Sequence, residues 1–183
     1  MKTFQDWAKR EYSTSQRLIA LGFEGVLFLL FLPFLLVVSS ATIDRWIQLP
    51  RFTAGTVNLV VALPLIVGGI FLGLWAIQAQ MTSGRGTPAP MMPTRKLVVN
   101  GPFAYCRNPM TLGTFIAYVG ICVWLASFSA IALVVILTAL LLLYQKLVEE
   151  KELEARFGLE YLEYKQHTPF LLPRLHRRSQ DTA

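Results

Sequence analysis

Residues 18–39 read LIALGFEGVLFLLFLPFLLVVS, twenty-two residues with one charge, and no other feature constrains the fold as strongly. As a helix, at about 1.5 Å of rise per residue, such a run is long enough to cross a hydrocarbon layer of roughly 30 Å. In lipid every backbone N–H and C=O needs a partner within the protein, and a helix supplies one for nearly all of them. Further apolar runs occupy 54–77, 110–126 and 128–148. The run at 110–126 sits at the lower edge of spanning length, and so little separates it from the next that the two are expected to form a tight helical hairpin. Hydrophobic residues make up 54% of the 183-residue chain and charged ones 15%, too apolar a balance for a soluble domain of this size. The run at 18–39 is too long for the apolar region of a secretory signal and is kept as a membrane helix. The expectation is an all-α integral membrane protein. It is a single membrane domain over 1–183, with about four transmembrane helices, a cytoplasmic loop at 78–109 and a cytoplasmic tail at 149–183.

Charge placement supplies the orientation. Four basic residues precede the first run, four lie between the second and third, and seven follow Tyr144, whereas only Arg45 and Arg51 lie on the other side. Fifteen of seventeen on one side makes that side cytoplasmic, so both termini are expected there. Trp46 and Trp124 fall near one membrane interface and Trp75 near the other, as an aromatic belt places them. A net charge of +6 is accounted for in this way, and no nucleic-acid partner is expected. Cys106 and Cys122 form no disulfide framework and have no metal-ligand spacing, and both histidines lie in the tail, so no metal site is expected.

Polar chemistry gathers on the cytoplasmic side. The loop opens with QAQMTSGRGTPAP, whose glycines and prolines break a regular helix, and Leu97–Val99 has the makings of a short extended piece before an Asn100-Gly101 turn. In GPFAYCRNPMTLG, Asn108 is a favoured N-cap and Pro109 a favoured first helical residue, so the third span is expected to start there. Its positive end, with Arg107 beside it, suits a carboxylate or phosphate; an ordinary helix start with a snorkelling arginine is the plainer alternative. Glu149 and Glu150 follow the fourth span on a helix expected to run to Gly158. Neighbouring helical residues point about 100° apart, so at most one of the two faces a given site squarely. Such a carboxylate can hold an ammonium group, or Glu150 can form an ordinary i,i+4 pair with Lys146. Gly84 and Gly86 permit close backbone approach, though one G-x-G alone carries little. Glu24, inside the first span, either reaches toward Arg17 or lines a cavity.

The ordered set GRGTPAP, LVVNGPFAYCRNPMTLG, a hydrophobic hairpin, EEKELEARFGLEYLEY and TPFLLP resembles the isoprenylcysteine carboxyl methyltransferase and phospholipid methyltransferase superfamily over residues 84–173. That pattern, R-H-P-x-Y-x-G, then a Glu-Glu pair and F-G-x-x-Y, falls here on Arg107, Asn108, Pro109, Thr111 and Gly113, on Glu149 and Glu150, and on Phe157, Gly158 and Tyr161. Asn108 and Thr111 stand where the superfamily usually carries histidine and tyrosine. Asparagine does not exchange a proton near neutral pH, so a mechanism with a base at that position is excluded.

The resemblance implies S-adenosyl-L-methionine as cofactor, bound in a site formed by the cytoplasmic loop and the C-terminal helix. It implies Gly84, Gly86, Gly101, Tyr105, Asn108, Pro109, Glu149, Glu150 and Tyr161 as cofactor-binding residues and Arg107 and Glu150 as catalytic ones. The expected function is methyl transfer to a lipid or lipophilic small molecule drawn from the bilayer. A phospholipid amine, an isoprenoid-linked carboxylate, and a thiol or other hydrophobe are all open. A nicotinamide-dependent membrane reductase, or a non-catalytic scaffold of the same fold, are the alternatives.

Overall fold

The computed structural model describes residues 13–52, 55–84 and 94–173, and every regular element among them is helical. Helix α1 (Ser15–Trp46), α2 (Thr56–Thr82) and α4 (Phe128–Phe157) are each long and apolar enough to cross a membrane. Helix α3 (Pro109–Leu125) is apolar but has 17 residues, about 26 Å at about 1.5 Å per residue. Helix α5 (Leu159–His167) completes the set. The spans therefore appear where the apolar runs place them, but α1, α2 and α4 extend further: α1 to Trp46, α2 to Thr82, and α4 unbroken to Phe157. Large apolar side chains cover the outside, among them Ile19, Phe23, Phe34, Val60 and Phe71. An exterior of that kind is matched to hydrocarbon rather than water.

The tightest contact joins α2 to α3 through small residues. Ala62, Gly69 and Ala76, spaced by seven, are buried on α2, and Gly113, Ala117 and Gly120 are buried on α3. A Cβ at Gly69 would stand 2.4 Å from the Gly113 carbonyl oxygen and 2.5 Å from the Ala117 nitrogen. A Cβ at Gly120 would stand 2.9 Å from the Ala62 carbonyl oxygen. With lipid outside there is no hydrophobic drive between helices, so close backbone approach and dispersion hold the pair.

The hairpin between α3 and α4 closes through Ala126, at φ +54, and Ser127, whose hydroxyl accepts from the Ala130 amide at 3.0 Å as an N-cap. Helix α1 is tied to that turn by Asp44, which accepts from Ser127 at 2.6 Å and Ser129 at 2.5 Å. Glu24 is half-buried on α1 and has no ion pair to Arg17 among the described residues.

Two helices each contain one π-helical turn, Leu27–Phe31 in α1 and Gln145–Glu149 in α4. The first precedes Pro33, which lacks an N–H and whose ring crowds the carbonyl four residues back, at Leu29. No proline follows the second, and its cause lies in what it faces.

Candidate functional site

The start of α3 meets the later part of α4. The Arg107 guanidinium, just before α3, pairs through Nη1 with Glu150 Oε1. Four residues further, Thr111 Oγ1 accepts from Gln145 Nε2 at 2.8 Å. Arg107 precedes α3 and Thr111 lies in its first turn, and each reaches a residue of α4. Gln145 and Glu150 are five residues apart, which in a regular α-helix turns them about 140° from each other. The π-helical turn removes that offset: the Glu150 amide donates to the Gln145 carbonyl, and both side chains face α3.

Glu150 is 5% exposed, and its second oxygen lies 2.8 Å from Lys165 Nζ on α5. Lys165 also reaches Glu154 at 2.7 Å, and these two carboxylates hold its ammonium above the ordinary lysine range. The expected Lys146–Glu150 pair does not form, because Glu150 points inward to Arg107 and Lys165 instead. Of the adjacent carboxylates one is buried and the other, Glu149, half-buried, as helical geometry requires. Arg107 stacks over the Phe170 ring at 5.3 Å, and its Nε is buried with no partner among the described residues. An orphaned buried donor costs about 1–3 kcal/mol, which an incoming acceptor can recover.

The tail roofs this corner. Pro169 O accepts from the Arg107 amide at 2.9 Å, Phe170 O accepts from Asn108 Nδ2 at 3.0 Å, and Phe103 O accepts from the Tyr164 hydroxyl at 2.8 Å. Asn108 occupies the N-cap position, but its side chain makes no cap bond. It corrects the expectation of a capping asparagine: the amide is engaged by the tail carbonyl, and the chain itself covers the start of α3. Burial pushes the Tyr161 hydroxyl up, Glu150's charge adds to that, and Arg107 opposes it. Burial does the same to Tyr164, far beyond its usual range, and to the Cys106 thiol.

The remaining expected residues divide. Pro109 is buried at the start of α3 and Tyr161 is 2% exposed beneath the tail. Gly101, at φ +60, and Tyr105 pack against Trp75, the Tyr105 ring at 6.4 Å. Gly84 is tight for a structural reason, since a Cβ there would stand 2.7 Å from Thr94 Cγ2 and 2.8 Å from Val98 Cγ2. Its carbonyl accepts from the Arg95 and Lys96 amides, and Leu97–Val99, just after them, belong to no regular element. Gly86 lies outside the described residues. Lys165, Gln145 and Thr111's contact were not foreseen; only the register of α5 behind Gly158 carried a signal for Lys165.

The sequence profile of the phospholipid methyltransferase family matches residues 57–160, more than half of the chain, and so takes in α2 as well as the motifs that follow it. The chain is also 28% identical, over 133 residues, to the "Nickel-cobalt-cadmium resistance protein NccN" of Alcaligenes xylosoxydans xylosoxydans. That match covers 72% of this chain and 54% of the relative, so the chain spans about half of the relative's length. No solved structure matches.

Proposed function

The chain belongs to the phospholipid methyltransferase family, and from that premise we propose that it is an S-adenosyl-L-methionine-dependent methyltransferase acting on a lipophilic acceptor at the cytoplasmic face of the membrane. The observation that carries the reading is the buried, unpartnered Nε of Arg107 within a corner of opposite charges. The cofactor supplies a methyl group on a sulfonium, a carbon already activated for displacement.

The residues present fit its amino-acid end. Arg107 Nε offers a charge-assisted donor to a carboxylate, a bond worth roughly 1.5–3 kcal/mol. Glu149, half-buried beside the pair and close to the Gln145 amide, has its carboxyl pushed up by burial and by Glu152 and Glu150, and an incoming ammonium would favour its charged form. Glu150 is in this reading a positioning residue that fixes the guanidinium. Asn108 and the Pro169–Phe170 carbonyls hold the roof that keeps water from the corner. None of these groups has to move a proton, in keeping with a displacement that depends on proximity and orientation.

Calorimetric titration of the purified protein with S-adenosylhomocysteine tests this. Binding is expected, weakened about tenfold or more by Arg107→Met. Equal affinity in parent and variant, with a lower melting temperature in the variant, reduces Arg107 to a brace for the hairpin and defeats the reading.

A further inference from the structure

A partly open cavity of about 280 Å³ lies between α1, α3 and α4, within the apolar belt. Leu36, Phe115, Val134, Leu137 and Leu141 line it, and so does Thr111. The surface is almost wholly hydrocarbon, and the Tyr118 hydroxyl in it is taken up by the Phe28 carbonyl at 2.7 Å. An apolar cavity of about 150 Å³ admits a benzene ring. This one has roughly twice that room, enough for one chain and too little for the paired tails of a diacyl lipid.

The polar end of the cavity is set by one residue pair. Thr111 lines it and accepts from Gln145 Nε2, and Gln145 stands one turn beyond the lining residue Leu141. The other half of that amide, Oε1, is buried and has no partner among the described residues. A buried carbonyl left without a donor is unfavourable by about 1–3 kcal/mol. Gln145 itself is not a lining residue, but its hydrogen bond to Thr111 places its amide against the cavity's polar end, where a donor carried by an apolar chain would satisfy Oε1.

We infer that Gln145, held by Thr111, is a specificity-determining residue that recognises the head group of a single-chain amphiphile through an O–H or N–H donor, with the chain lying in the α1–α3–α4 cavity. The inference rests on the methyltransferase reading for calling that amphiphile the acceptor. It excludes head groups that only accept, such as ethers and esters, since these leave Oε1 unpaired. Selection by a site built to pair a polar group is sharper than selection by apolar fit.

The test is photolabelling of the full chain in phosphatidylcholine nanodiscs with a dodecanol bearing a diazirine at its far end. Labelling is expected on cavity residues of α1, α3 and α4, and unlabelled dodecanol and dodecylamine should displace the probe about tenfold better than dodecyl methyl ether. Gln145→Leu should erase that preference, and Gln145→Glu, which keeps an acceptor oxygen, should retain it. Val134→Phe, distant from Arg107, should abolish cavity labelling while S-adenosylhomocysteine still binds. Label confined to outward helix faces overturns the cavity, and equal displacement by the ether overturns the role of Gln145. Failure of S-adenosylhomocysteine to bind the parent, with the labelling pattern intact, instead rejects the methyltransferase reading.

Discussion

Glu150 has two cationic partners and almost no exposure, so its replacement tests what each is worth. Removing one member of a buried pair strands the other, typically at about 3–5 kcal/mol. Glu150→Gln is expected to destabilise the protein by about that amount, read as a fall in denaturation midpoint. Lys165→Met should cost no more than about 1 kcal/mol, because that ammonium is a third exposed and screened. If the two variants melt alike, Arg107 is not relying on Glu150. Asn108→Ala removes one hydrogen bond to Phe170, about 1 kcal/mol, and should speed exchange of the Arg107 amide roughly fivefold. Unchanged exchange means that the roof is held without Asn108.

Among the elements, α2 and α3 leave the least freedom. Gly113→Val must push a side chain into the Gly69 carbonyl, 2.7 Å from where its Cβ would stand. The expected penalty is about 1–3 kcal/mol or more, measured as lost thermal stability in detergent, and Gly68→Val, where nothing lies within 4 Å, is the matched control. The seam was written in the seven-residue spacing of Ala62, Gly69 and Ala76, a small-residue period hidden inside uniformly apolar text. The spans were legible because hydropathy alone decides them. The tail's docking was not, since backbone carbonyls at Pro169 and Phe170 accept whatever their side chains are. Nor was the π-helical turn, because Gln145–Glu149 contains nothing that an ordinary helix excludes. Docking of α5 has its own pH signature. Burial raises Tyr164's folded pKa above its unfolded value of about 10, so the unfolded chain loses that proton first. The contribution is whole below about pH 10 and is lost as pH rises toward the folded value. Denaturant midpoints should therefore fall above about pH 10, less steeply in Tyr164→Phe; parallel profiles refute the assignment.

For the molecule as a whole, the distribution of fifteen basic residues against two leads us to expect the α1–α2 and α3–α4 turns on the outer side. Reporter fusions after Gln48 and at the C-terminus are expected to report opposite sides of the membrane, and reports from one side reject that topology. The site occupies one corner where four separate stretches converge: the start of α3, the later part of α4, α5 and the tail. The tight hairpin expected of 110–126 and 128–148 brings the start of α3 beside Glu150, but that Arg107 and Glu150 pair directly, and that Lys165 saturates Glu150, was not legible.

The extra residue in the inner part of α4 also bears on how such chains differ in length. A π-helical turn is an α-helical turn carrying one surplus residue, and withdrawing it leaves both flanks in phase. Deleting Leu147 makes Gln145 and Glu150 neighbours at i,i+4, still on one face. Deleting Met110, in the first turn of α3, has no surplus residue to absorb it and turns Thr111 by about 100° relative to Pro109, away from Gln145. What the corner holds constant is thus a facing and not a count, and a one-residue gap has opposite meanings on its two sides: silent in α4, disabling in α3.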